Sequence, residues 1–353
     1  MIGGEKDVPL WIQLVSGGIC ILSILGSLAI ILTYVLVKNI RSKARELLVH
    51  ISLMDIMYST ANLVGLALPY HEHLEDNSNE SESAYLTVCK AQAFIAVYGT
   101  IGSVLWTLGL AVYLYYRIVS RNGDVTRKLG RALYVLCYAL PLYVTLWLLL
   151  DDWLGYPHNV LAGAGWCSFR DDVDAIVTFM TYDIWIWLGI LILVPLYFII
   201  HIHINEQVKE QQMYLSLIDH PIPVIKSEQK LLLVPVVFIF LRVWDIIGDI
   251  IFIYYDHPES NHYIWLQILM SIGDCGQGFF NFIIFFMFHP RLRSLMWNNF
   301  RFYCCQCCKC CYKTAGDFHG TASESSDDYN SLSESLKEPY HGLFLRHTPK
   351  SKS

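Results

Sequence analysis

The sequence predicts an all-α integral membrane protein: a seven-transmembrane helix bundle with its N-terminus outside, then an amphipathic helix 8 and a disordered cytoplasmic tail. Three observations predict it. Hydrophobic residues make up 54% of the 353 and charged residues only 16%, whereas a soluble domain would carry roughly a quarter charged residues. The apolar residues gather into seven long runs with most of the charge between them, and a helix needs about 20 apolar residues to cross a core of about 30 Å. Lysine and arginine also divide unevenly between alternate connecting segments, which gives the chain a direction.

The seven runs cover residues 10–37, 47–70, 88–118, 132–150, 175–200, 231–255 and 263–288, and a weaker amphipathic run follows at 289–302. Four regions result: a short extracellular start (1–9), the seven-helix domain (10–288), helix 8 with a cysteine cluster (289–313) and the tail (314–353). Up to residue 313, seventeen Lys and Arg fall in the segments on one side, among them Arg45, Arg117, Arg127, Lys128 and Lys230. The other side holds only Lys6, Lys90 and Arg170 beside fourteen acids, so it faces outward. Glu5, Lys6 and Asp7 give the start no basic region, and the first run is too long for a signal-peptide core. A ligand therefore has to bind in the bundle or its loops.

Cys89 opens the third run on the outer side and Cys167 lies in the loop before the fifth. The outer compartment is oxidising, so these two cysteines are expected to form a disulfide that pins the loop over the bundle mouth. Cys20, Cys137 and Cys275 read as small core hydrophobes. Asn79-Glu80-Ser81 is the one glycosylation sequon in an outer segment, in what reads as a polar loop. Cys304, Cys305, Cys307, Cys308, Cys310 and Cys311 follow the amphipathic run beside Arg301 and Lys309. Thiolate metal binding would need a small fold to hold the ligands, so palmitoylation that ties helix 8 to the inner leaflet is the expectation. Ser323, Ser325 and Ser326 stand among acids in a segment that cannot bury a core, and read as phosphorylation sites.

Apart from Lys90 and Arg117 at the ends of the third run, six charged residues lie inside the runs: Asp55, Asp183, Arg242, Asp245, Asp249 and Asp274. Each is expensive there unless paired. Arg242 is ~18 Å from either end of its run, and its partner is either Asp245 on the next turn or Asp274 on the following helix. The expected pocket is a polar core open to the outside, built from Asp55, Trp106, Arg242, Trp244, Asp245, Asp274 and Gln277. The seventh run has no lysine for a retinal Schiff base, and neither a His-Glu-x-x-His nor a Gly-x-Ser-x-Gly motif occurs. Neither an enzyme, a cofactor nor a nucleic-acid partner is expected.

Several stretches resemble a known family. They are Arg41-Ser-Lys-Ala-Arg45-Glu-Leu-Leu before Ser52-Leu-Met-Asp55, and Trp106-Thr107 with Ala111-Val-Tyr113-Leu-Tyr115. Gly165-Trp166-Cys167, Lys230-Leu-Leu-Leu-Val-Pro235 running on to Leu241-Arg242-Val243-Trp244, and Gln277-Gly278 with Asn281 complete the set. Together they resemble the orphan G-protein coupled receptor 157 family, related to slime-mould cAMP receptors and distantly to secretin-class receptors. Rhodopsin-class signatures are absent: the third run ends Tyr115-Tyr116-Arg117, and the seventh lacks Asn-Pro-x-x-Tyr. The resemblance implies a plasma-membrane receptor, with the ciliary membrane as a candidate compartment. Its partners would be an unknown extracellular ligand, the lipid bilayer and a heterotrimeric G protein of the phosphoinositide–calcium type, with arrestin and receptor kinases at the tail. The G-protein face would hold Arg45, Arg117, Arg127, Lys128 and Lys230. The alternative is a transporter or ion channel that uses the intramembrane Asp and Arg residues as an ion path.

Overall fold

The computed structural model describes residues 10–37, 41–67, 79–120, 123–155, 167–170, 173–215, 230–255 and 264–287. Seven long helices account for most of them: α1 Leu10–Leu36, α2 Lys43–Ala67, α3 Asn79–Tyr115, α4 Gly123–Leu150, α5 Ile184–Leu215, α6 Leu233–Tyr255 and α7 Ile264–Met287. Helix 8, the cysteines from Cys304 to Cys311 and the serines Ser323, Ser325 and Ser326 lie outside the described residues.

Several helices outrun their apolar runs. α2 starts at Lys43 rather than 47, α3 at Asn79 rather than 88, and α5 continues to Leu215 rather than stopping at 200. Hydropathy marks where the chain meets lipid, but backbone hydrogen bonding continues into water. With 32 residues, α5 is ~48 Å long, well beyond a core of about 30 Å. Asn79, expected in a loop, is instead the first residue of α3. Among the described residues, six helices are long and apolar enough to cross a membrane. The seventh, α6, is 23 residues long and carries Arg242, Asp245 and Asp249, so its own charges set it apart.

Burial is inverted relative to a soluble protein. Leu14, Leu25, Leu191 and Phe198 are exposed, while Ser16, Ser23, Asp55, Asn62, Gln92 and Ser103 are buried. Lipid, not water, is the solvent that makes this arrangement favourable. Small residues then set how closely helices pack, because lipid tails compete with leucine for apolar contact. α1 buries Ser16, Cys20, Ser23, Gly26 and Ser27 along one stripe. A Cβ on Gly26 would meet the Gly278 carbonyl oxygen at 3.0 Å, and one on Gly278 would strike Ser27 and the Ser23 carbonyl. The Cys20 and Cys275 thiols meet at 2.7 Å in the same seam.

One end of the bundle carries a small two-stranded hairpin. Strands β1 (Leu154–Gly155) and β2 (Ser168–Phe169) pair antiparallel, with Leu154 opposite Phe169. α4 is followed by a turn at Asp151 and Asp152, and the Asp152 φ of 58° is the left-handed conformation that aspartate tolerates better than most residues. Cys89 and Cys167 form the expected disulfide, with an S–S distance of 2.04 Å and Cα atoms 5.5 Å apart. Gln92 adds a second tie, its Oε1 accepting the Cys167 N–H at 2.9 Å. Lys90 donates to the Asp152 carboxylate, and Arg170 donates to it at 2.8 Å. The Lys90 hydrogen bond chiefly holds the Asp152 carboxyl below the usual carboxylate range.

Two predictions follow from these contacts. Gly278→Val should lower the thermal stability of purified protein by the equivalent of about 1–3 kcal/mol, the usual cost of overpacking. Gly18→Ala, where nothing lies within 4 Å of the added methyl, should not lower it. Cys89→Ser and Cys167→Ser should each reduce surface delivery and stability, with the loss bounded by about 4.5 kcal/mol of loop-closure entropy. The double variant should be no worse than either single one, because the two sulfurs act as a unit.

Candidate functional site: the polar core of α2, α3, α6 and α7

Spacing places the polar residues on inward faces. On α6, Arg242, Asp245 and Asp249 fall at i, i+3 and i+7, one side of a helix. On α7, Asp274, Gln277 and Asn281 repeat that spacing. Arg242 is 2% exposed and its Nη1 donates to the Asp274 carboxylate. The same nitrogen lies 3.3 Å from Asp245 Oδ2, and the guanidinium carbon stands 5.8 Å from the centre of the Tyr58 ring. Both partners expected from the sequence are therefore engaged. Burial of an unpaired arginine costs at least about 2.5–3.5 kcal/mol on insertion scales, so these contacts are what allow Arg242 at mid-helix.

Below and beside this pair the core stays polar. Ser103 donates to Asp55 Oδ1 at 3.0 Å, and Asn62 Nδ2 donates to Cys275 Sγ at 3.5 Å. The Asn281 amide is buried in the same core, and neither of its polar atoms makes a well-formed hydrogen bond. Gln277 Nε2 donates to Thr107 Oγ1 at 3.5 Å, and its Oε1 accepts no bond. Toward the hairpin end, Trp187 Nε1 donates to Asp249 Oδ2 at 3.0 Å and Tyr182 donates to Thr100 Oγ1 at 3.4 Å. Tyr182 and Asp183 belong to a π-helical turn, Phe179–Asp183, that leads into α5. Such turns recur at functional sites.

Of the residues expected in the pocket, Asp55, Arg242, Asp245, Asp274 and Gln277 do converge. Trp106 and Trp244 do not join them. Trp244 packs edge-on against Phe240, which is 62% exposed, and so lies toward the outer surface of the bundle. Trp106 stacks on His50 with ring centres 4.5 Å apart. Around that stack His50 Nδ1 meets the Tyr138 hydroxyl at 2.7 Å and Nε2 meets the Tyr134 hydroxyl at 3.2 Å. Tyr134 donates to Glu46, so its oxygen accepts from His50 Nε2–H, which leaves Nδ1 to accept from Tyr138. This second network was missed from sequence. The signal available was the i, i+4 spacing of Glu46 with His50 and of Tyr134 with Tyr138.

The basic residues lie at the opposite end from the hairpin. Arg117, on the π-helical turn Tyr116–Ser120 after α3, is exposed, as is Lys128 on α4. Arg45 is half-buried near the start of α2. The side chains of Arg127, Lys230 and Asn79 lie outside the described residues.

The buried pair yields a prediction about stability. Arg242→Leu leaves Asp245 and Asp274 without their cation, and should destabilise by about 3–5 kcal/mol, the cost of breaking a buried pair. Removing the acids as well, in Arg242→Leu with Asp245→Asn and Asp274→Asn, should recover most of that loss in a thermal-unfolding measurement.

Comparison with known proteins places this architecture. The family described as "7 transmembrane receptor (Secretin family)" matches residues 12–280. "G-protein coupled receptor 157" of Rattus norvegicus is 28% identical over 294 residues, covering 81% of this chain and 84% of that protein. The protein of the same name from Homo sapiens is 27% identical over 286 residues, covering 79% and 81%. "Cyclic AMP receptor 2" of Dictyostelium discoideum is 30% identical over 96 residues, 27% of this chain and 23% of that one. Among solved structures, squid rhodopsin shares the fold with a TM-score of 0.61 at 15% identity, covering 86% of this chain and 89% of its own. These relatives are receptors and not enzymes. The chain is a multi-pass membrane protein, and it belongs to the secretin family of seven-transmembrane receptors.

Proposed function

We propose that the chain is a plasma-membrane G-protein coupled receptor whose hairpin end faces outside and whose opposite end activates a heterotrimeric G protein. The family match across residues 12–280 carries this reading. The relatives named G-protein coupled receptor 157 extend it to the G protein. Two features support the orientation. Arg117 and Lys128 are exposed at the end away from the disulfide, as the positive-inside tendency requires. The Cys89–Cys167 disulfide sits at the other end, where an oxidising compartment would preserve it.

In this reading an extracellular ligand enters the polar core around Asp55, Arg242, Asp245, Asp274 and Gln277. α5, which continues past the bilayer on the inner side, forms one wall of the crevice that admits the G protein, and α6 moves to open it. Arg45, Arg117, Arg127, Lys128 and Lys230 border the crevice. Asn79 carries a glycan, Cys304, Cys305, Cys307, Cys308, Cys310 and Cys311 accept palmitate, and Ser323, Ser325 and Ser326 are phosphorylated for arrestin binding. The G protein is of the phosphoinositide–calcium type.

The reading is tested with purified receptor in lipid nanodiscs and a panel of purified heterotrimers, by following receptor-dependent GTP analogue uptake. Uptake above the rate of G protein alone is expected for at least one heterotrimer. Arg117→Glu should reduce it by about tenfold, the ~1.4 kcal/mol scale of a lost charged contact, at unchanged surface expression. Equal uptake by the variant would remove Arg117 from the G-protein face.

A further inference from the structure

The charges within the core do not balance. Asp183, Asp245, Asp249 and Asp274 gather on α6, α7 and the π-helical turn before α5, and lie within electrostatic reach of one another. Arg242 is the one cation that pairs with any of them among the described residues. Like charges this close, in a medium far less polar than water, repel strongly. Protons or a bound cation must make up the difference.

The geometry favours a bound cation of a particular kind. Asp183, Asp249 and Asp274 are only partly buried, whereas Arg242 and Asp245 are buried. The acids thus form a graded path with Arg242 as its floor. Asp245 is 7% exposed, yet its Oδ1 accepts no hydrogen bond. A buried carboxylate oxygen without a partner is costly, and a ligand donor would satisfy it. Aromatic rings stand beside the acids: Trp187 donates to Asp249, Phe179 packs edge-on against Trp187 at 6.2 Å, and Phe169 of the hairpin packs against Tyr182 at 5.9 Å. Carboxylates beside aromatic faces suit an organic ammonium, which is attracted to both. A metal ion would need three or more ligands at one point, and no such group converges among the described residues. An anion would meet three uncompensated acids.

We propose that this mouth binds the ammonium or guanidinium head of an organic cation, and that ligands of this class are what the receptor takes. Asp249 and Asp183 receive the head group, Trp187 and Phe179 flank it, and Asp245 Oδ1 accepts a donor from a ligand that reaches deeper. This inference rests on the proposed orientation, with the hairpin end outside.

The test uses the full chain purified in nanodiscs of zwitterionic lipid, with thermal unfolding as the readout, because a ligand that binds only the folded state raises Tm in a saturable way. The probes are tetramethylammonium, phenethylammonium and spermidine. Their controls are 2-phenylethanol, 3-phenylpropanoate, and sodium chloride at matched ionic strength. At least one ammonium should raise Tm saturably at or below about 10 mM, a weak-ligand range, while the three controls should not. Asp249→Asn and Asp183→Asn should each raise the half-saturating concentration at least about tenfold, roughly one lost charge contact. Trp187→Leu should also weaken the response, and Gly18→Ala, whose added methyl meets nothing within 4 Å, should leave it unchanged. Each variant's own Tm without probe reports whether it has folded, and any one that has folded suffices.

No response to any ammonium overturns the proposal. So does an equal response to 2-phenylethanol, which would mean an apolar pocket with protonated acids, or to sodium, which would mean an inorganic cation. An ammonium response untouched in folded Asp249→Asn and Asp183→Asn overturns it too. The same preparation assayed for nucleotide uptake separates the two readings. Uptake without an ammonium response defeats the ligand class and leaves the receptor standing, and an ammonium response without uptake does the reverse.

Discussion

The ion pair between Arg242 and Asp274 is the contact on which the arrangement of the core depends, and it exists because two helices approach very closely. A Cβ placed on Gly273 would fall on the carbonyl oxygen of Leu241. Leu241 directly precedes Arg242, and Gly273 directly precedes Asp274. The absence of one side chain on α7 therefore sets the distance at which the next residues on both helices can exchange a proton donor and an acceptor. Glycine is used here for approach, not for backbone freedom. The same device recurs between Gly26 and Gly278, so α7 is gripped on two sides by backbone contact.

Much of the fold was legible because the bilayer imposes a simple rule. About 20 apolar residues are required to cross it, and every one of the seven runs became a helix. The rule says nothing of where a helix ends in water, which is why α3 and α5 extend past their runs. Nor does it reveal a π-helical turn, and Tyr182 and Asp183 owe their position to one. Arg242 could be singled out because a lone guanidinium at mid-span has no inexpensive explanation. The choice between Asp245 and Asp274 could not be made, since depth along a helix does not fix which way it is rotated. Trp106 shows the converse error. A buried tryptophan among polar neighbours read as a pocket wall, but its partner is His50 on α2, and aromatic residues carry no mark of which helix they will face.

The two polar networks divide the bundle into halves with different character. Near the hairpin end the groups are mainly carboxylates around one arginine. Toward the basic end a directed chain runs from the Tyr138 hydroxyl to His50 Nδ1, and from His50 Nε2–H through the Tyr134 hydroxyl to the Glu46 carboxylate. The second chain uses every hydroxyl and imidazole nitrogen it contains, so it ties α2 to α4, with Trp106 of α3 stacked on His50 and its own Nε1 left without a partner. The first is open, with Asp245 Oδ1, Gln277 Oε1 and the Asn281 amide unsatisfied. Unsatisfied groups mark the half in which an added ligand or a shifted helix can gain bonds without first breaking better ones.

Asp245 gives that open half a further property. It sits three residues from Arg242 on the same helix, so it travels with Arg242 however α6 moves. A separation of α6 from α7 at this level breaks the bond to Asp274 yet leaves the guanidinium 3.3 Å from a carboxylate. Without Asp245 the separated state would hold a bare buried charge, and breaking a buried pair costs about 3–5 kcal/mol. With it, the cost falls toward that of exchanging one charged hydrogen bond, about 1.5–3 kcal/mol. An equilibrium of that size leaves the second state populated at roughly a few per cent or less, within the span that a ligand's differential affinity can shift. The local pair on α6 thus keeps Arg242 compensated in both arrangements and lowers the free-energy cost of giving up the interhelical pair.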